Sequence, residues 1–212
     1  MSAANPPELW LIAGPNGAGK TTLVQSLPRH FPLIARLFST VCFLNPDART
    51  LELLKHFGID SFAQAPLADL REFFIQAANE TWDELDGILD QGGRGGIETV
   101  LSSGKFRPLV EKTLAAGGRF YLIYVSLNSP ELAARRVWER AASGGHDVPA
   151  EKVAARWKKS LEELPWFLAR ASQAWVFDNS SSTPTLLAVC RQGKARPLAP
   201  LFPELAKALS EC

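Results

Sequence analysis

Residues Gly14, Pro15, Asn16, Gly17, Ala18, Gly19, Lys20, Thr21 and Thr22 are consecutive, and Gly14 to Thr21 match the pattern G-x-x-x-x-G-K-[ST]. Three glycines in six positions let a backbone curl until its N–H groups converge on one point. That point attracts phosphate, and the N-terminus of a following helix adds partial positive charge. Lys20 is placed to reach the β- and γ-phosphates of a nucleotide, and the Thr21 hydroxyl to ligate Mg2+. ATP and Mg2+ are therefore the expected cofactors.

A phosphate loop of this form serves kinases and transport ATPases alike, and Leu101-Ser102-Ser103-Gly104-Lys105 mimics the signature segment of the latter. The transport reading is rejected because those ATPases follow the signature with a strand ending in adjacent Asp-Glu. The strand expected here, Tyr121 to Leu127, runs into Asn128 and Ser129. Four other pieces fall where a kinase needs polar groups, at strand ends or in a segment able to cover the nucleotide. They are Asn45-Pro46-Asp47, Glu98-Thr99, Arg136 and Arg140 with the Gly144-to-Pro149 break, and Asp178-Asn179.

Together with the loop, these pieces resemble the zeta-toxin family of P-loop kinases over about residues 9 to 180. The most specific stretch runs from Arg136 through Arg140 and Gly-Gly-His-Asp-Val-Pro to Arg156. The resemblance implies phosphorylation of a hydroxyl of a nucleotide sugar such as UDP-N-acetylglucosamine, and a toxin restrained by a separate antitoxin chain. It assigns Asp47 as catalytic base, where a carboxylate can orient an attacking hydroxyl; Asp47 can also cap the next helix. Arg49 would assist at the same site. Glu98 and Thr99 match the segment that contacts the acceptor, and Glu98 could equally hold Mg2+ through water. Val100 stands where the family often has a second threonine, which leaves acceptor specificity open.

Arg140 and Arg156 match the family's phosphate-contacting pair, with Arg136 beside them. Arginines in that position neutralise charge as a phosphoryl group moves. His146 reads as a hinge or cap contact rather than a base, and Asp178 with Asn179 as a border of the nucleotide base. Two alternatives stay open: a kinase of antibiotics or metabolites, and a non-catalytic ATP-dependent switch that binds a protein partner.

Alternating elements must carry these residues. Leu9 to Ile12 predict a first strand feeding the loop, followed by a short helix before Pro28. Val41 to Leu44, Ile97 to Leu101, Phe120 to Leu127 and Ala174 to Phe177 predict four more strands. Apolar positions at helical period predict a long helix from Leu67 to Leu89, and the Gly92-to-Gly96 run ends it. Ser129-Pro130 opens a helix to about Ala142. Another runs from Pro149 to about Glu163, with a short one after Pro165. The expected fold is an α/β P-loop kinase-like sandwich with five parallel strands in the order 2-3-1-4-5. One domain over 1–212 is expected, with a core of about 8–180 and a C-terminal extension at 191–212.

Composition narrows the class further. The 212 residues are 46% hydrophobic and 21% charged, ordinary for a globular chain. A net charge of +1 gives no global pull toward nucleic acid or anionic membrane. Cys42, Cys190 and Cys212 fit neither a disulfide framework nor a metal-ligand spacing, and Cys42 is expected as a buried thiol inside its strand. No leader-like segment or membrane-length apolar run is seen, so a cytoplasmic protein is expected.

Overall fold

A computed structural model describes residues 5–143 and 148–211; the segment containing His146 lies outside them. Strand β1 (Glu8–Ala13) is buried along its whole length at the centre of the sheet, which explains its uninterrupted apolar run Leu9 to Ala13. Around it lie β2 (Cys42–Leu44), β3 (Arg94–Thr99), β4 (Arg119–Ser126) and β5 (Gln173–Asp178), all parallel. Two antiparallel strands, β6 (Thr185–Arg191) and β7 (Lys194–Pro197), continue the sheet in the order β2-β3-β1-β4-β5-β6-β7.

The sheet therefore has seven strands rather than five. Gln192 and Gly193, with φ of 50° and 72°, form the two-residue turn that folds β7 back on β6. Positive φ at both turn residues matches the right-handed twist of an antiparallel pair. The expected C-terminal extension carries β7 and a final helix. Helix α8 (Pro203–Ser210) buries Leu205, Ala208 and Leu209, and Phe202 stacks on Trp157 at 6.3 Å.

Helices α1 (Lys20–His30), α2 (Pro32–Phe38), α3 (Pro46–His56), α4 (Leu67–Asp90), α5 (Arg107–Ala115), α6 (Pro130–Ala142) and α7 (Ala150–Arg170) connect the strands. Two of them run through a proline that was expected to stop them, Pro28 in α1 and Pro165 in α7. Proline deletes one backbone donor and crowds the preceding turn. In α7 the flanking Leu161, Leu164, Phe167 and Leu168 are all buried, so core packing outweighs the lost bond. Ser129 caps α6 as expected, its Oγ accepting from Leu132 N at 3.2 Å.

Glycines that were expected only to end α4 belong to β3. A Cβ on Gly95 would lie 2.5 Å from Leu85 Cδ1, and one on Gly96 would lie 2.9 Å from Val41 Cγ1. Gly95 thus lets α4 press onto the sheet through Leu85. Cys42 is exposed rather than buried, because β2 has three residues and forms the sheet's edge; Cys190 is buried in β6.

Candidate active site

The phosphate loop leaves β1 through Gly14, whose φ of 142° is paired with a close approach: a Cβ there would sit 2.1 Å from Val125 O. At Gly19, φ is 75° and a Cβ would meet Asn179 Nδ2 at 2.5 Å. Only glycine fits either place, which is why the motif needs it there. Asn179 Nδ2 donates to Ala18 O at 2.8 Å, and the Asn179 backbone N–H donates to Ser126 O at 3.1 Å. Asn179 therefore braces the loop from the end of β5, where it was expected to border the base.

Two arginines extend that brace. Arg136 on α6 donates from Nη1 to Asn179 O at 2.7 Å and from Nη2 to Ser180 O at 3.4 Å. Arg156 on α7 donates to Asn16 Oδ1 at 3.2 Å. The loop is thus held from two helices and the neighbouring strand end, with its N–H groups at the start of α1. No acidic residue occupies the first turn of α1, so nothing there opposes an anion.

Lys20 is buried, and its Nζ donates to Gly14 O at 3.0 Å and Pro15 O at 3.2 Å, 3.8 Å from Glu98 Oε1. Burial pushes its pKa below the ordinary value; Glu98 and Asp47 pull it back up, and Arg140 lowers it further. Both carboxylates and Arg140 therefore act on the loop lysine through space. Thr21 Oγ1 donates to Glu98 Oε2 at 2.8 Å, and Asn45 Nδ2 approaches the same oxygen at 3.3 Å.

A hydroxyl beside a carboxylate is a hard oxygen set that suits Mg2+, which commonly takes one or two protein oxygens and completes its shell with phosphate and water. Among the described residues no cluster of three His, Cys, Asp or Glu side chains could hold a metal alone. Thr21 and Glu98 are accordingly the protein donors that fit, with phosphate oxygens supplying the rest. Glu98 thus sits beside the loop threonine, where the Mg2+-holding one of its two expected roles would place it.

These residues open into a cleft of about 890 Å3. Asp47, the second residue of α3, lines it beside Asn45 and Pro46. Thr99 lines it too, while its Oγ1 accepts from Leu101 N at 3.1 Å in the turn after β3. Arg49 does not line it. Its guanidinium lies 2.7 Å from Glu84, 3.5 Å from Glu52 and 3.9 Å from Glu80, tying α3 to α4. Thr22 is exposed on α1 outside the cleft lining.

Several lining residues were not singled out from sequence. Arg71, Phe74, Ile75 and Ala78 form one face of α4, a set their spacing of three and four could have revealed. Lys105 enters from the turn before α5, its Nζ 5.6 Å from the Trp82 ring. Lys152 joins Arg156 on α7. Among the described lining residues, seven are Lys or Arg and two, Asp47 and Glu98, are acidic. A chain of net charge +1 thus concentrates an excess of five positive charges in one cleft.

Sheet order, phosphate loop and cleft define a P-loop kinase-like fold. Residues 9–164 match the AAA domain family AAA_33, and the chain belongs to that family. No curated protein matches it. Among solved structures it is similar to the AvrRxo1-ORF1:-ORF2 complex with ATP, at TM-score 0.63 and 15% identity over 99% of this chain and 64% of that one. It therefore spans about two thirds of the length of that relative.

A putative kinase from Chloroflexus aurantiacus superposes at TM-score 0.53 and 20% identity, covering 72% of this chain and 77% of that chain. The PezAT chromosomal toxin-antitoxin system of Streptococcus pneumoniae gives TM-score 0.52 and 16% identity, covering 84% and 70%. At such identities the likeness is one of fold. No helix among the described residues is long and apolar enough to cross a membrane.

Proposed function

We propose that the protein is an ATP-dependent phosphotransferase that phosphorylates a hydroxyl of an anionic acceptor of the nucleotide-sugar type. The observation that carries this reading is the convergence of Lys20, Thr21, Asp47, Glu98, Arg140 and Arg156 on one cleft that extends well past the phosphate loop. Hydrolysis alone needs no such extension. The lining also includes apolar Phe74 and Ala78 and cationic Arg71 and Lys105, which suits a molecule with both a planar or apolar part and negative charge.

Asp47 accepts the proton of the attacking hydroxyl and aligns it with the γ-phosphorus. Lys20 and the loop N–H groups hold the β- and γ-phosphates, and Arg140 and Arg156 neutralise charge that builds on the transferring group. Thr21 and Glu98 would hold Mg2+, which screens the phosphate charge when bound. A zeta-toxin-like role, with a separate antitoxin chain, extends this reading. It draws support from the PezAT likeness and is tested by growth arrest on expression that Lys20→Ala relieves.

The direct test is ADP formation by purified protein with and without UDP-N-acetylglucosamine, followed by an acceptor panel read by mass spectrometry. Acceleration by the nucleotide sugar, abolished in Asp47→Asn while ATP still binds, is expected. Full turnover in Asp47→Asn would remove Asp47 as base. Acceleration only by other acceptors would move the enzyme to small-molecule kinases, and ATP binding with no phosphorylated product would favour a switch protein.

A further inference from the structure

Asn45 uses both ends of its side-chain amide, and the two ends serve different parts of the site. Oδ1 accepts from Asp47 N at 2.9 Å and Ala48 N at 3.2 Å, capping α3. Nδ2 donates to Glu98 Oε2 at 3.3 Å, the same oxygen that accepts from Thr21 Oγ1. Chemistry fixes this orientation from both sides. Two backbone donors demand an acceptor, and a carboxylate demands a donor, so the reversed amide would be repelled at each end.

The sheet register creates the meeting. Leu44 of β2 pairs with Ile97 of β3, so the residues that follow, Asn45 and Glu98, emerge side by side at the end of parallel strands. Pro46 has no N–H, which leaves Asp47 as the first donor that the cap can hold. Buried Thr50 fixes the same turn by donating to Pro46 O at 2.8 Å.

We infer that Asn45 is a positioning residue that couples the phosphate-side carboxylate Glu98 to the base Asp47. The inference rests on the phosphotransfer reading of this site. Glu98 Oε2 is shared between Thr21 and Asn45, so a phosphate–metal ligand that draws the Thr21 hydroxyl or the Lys20 ammonium changes the charge seen by Asn45. The change passes through one rigid amide to the two N–H groups at the start of α3, one of which is that of Asp47. The amide does the two jobs with two atoms: serine caps a helix equally well but has a single, nearer oxygen for both, and aspartate caps but presents only acceptors to Glu98.

The test combines amide exchange with kinetics on the full chain. Adding ATP with Mg2+ to wild-type protein is expected to alter exchange at the Asp47 and Ala48 amides. In Asn45→Ser the cap survives, so thermal stability is held, but the exchange response is lost. Its kcat falls by about 10- to 100-fold with KM for ATP within about twofold, because a misplaced base harms the chemical step.

An undiminished exchange response or unchanged kcat in Asn45→Ser overturns the coupling and leaves the phosphotransfer reading standing. Wild-type protein that binds no ATP would remove both together.

Discussion

Glu8 and Glu98 stand at opposite ends of adjacent strands, and each faces basic side chains, yet their surroundings are arranged in contrary ways. Glu8, buried at the start of β1, is met by Arg94 Nε at 2.6 Å and by the Arg119 guanidinium, residues that the register places directly beside it on β3 and β4. Arg94 also donates to Leu37 O at 2.6 Å and to the Thr40 hydroxyl. At that end the charges close on one another and lock β3, β1, β4 and the end of α2 together. At the other end Glu98 has Lys20 only at 3.8 Å, and the cleft carries far more cations than carboxylates.

The same residue types therefore act as a clamp at one edge and a binding field at the other. Position along a parallel sheet explains the difference. Ligands bind beyond the carboxyl ends of the strands, where loops and helix N-termini gather. The amino ends have only their own neighbours to satisfy.

Removing charge at each end should separate the two roles. The largest effect is expected from Arg140→Ala, which should lower kcat by roughly 10^3-fold, as loss of a transition-state arginine does; single-turnover kinetics measure it. Glu8→Ala should free two arginines that are partly open to solvent and cost about 1.5–3 kcal/mol in urea unfolding, with kcat unaltered below the transition. If Glu8→Ala reduced turnover and spared stability, the contrast between clamp and field would fail.

Lys20→Met is expected to raise stability while abolishing ATP binding. Burial holds the Lys20 pKa below 10.5, so the folded protein binds that proton less tightly than the unfolded chain. The cost is fully present below the folded pKa and is relieved as pH climbs from there toward 10.5. Thermal melts of the two proteins across that range should converge at the alkaline end. The smallest effect, about 1 kcal/mol, is expected for Ser129→Ala through loss of the α6 cap, read as a small drop in Tm.

Much of the site was legible because phosphate binding constrains local sequence. Gly19, Lys20 and Thr21 line the cleft, and Asp47 reaches it from the start of α3 and Glu98 from β3. Arg49 was misread because a charge near the base motif was taken to face it, whereas Glu80 and Glu84 of the distant α4 capture it. Arg71 and Phe74 share a helical face that their spacing showed, but only packing decides that this face of α4, and the turn carrying Lys105, line the cleft.

In the fold, the apolar run of β4 and the Ser-Pro start of α6 were plain. Strands β6 and β7 were not recognised, although Gln192-Gly193 between two extended segments is a hairpin signal. Pro165 misled in the opposite direction, since local preference there is overruled by buried neighbours.

By itself the sequence determined a phosphate loop, the alternation of strands and helices, and the identity of the groups able to do chemistry, because those depend on residue type and short-range spacing. Only the tertiary structure decided which charges neutralise each other and which converge on a cleft, how Glu98 divides itself between Thr21 and Asn45, and that the last strands complete the sheet. Those outcomes depend on strand register and helix packing, which bring together residues tens of positions apart.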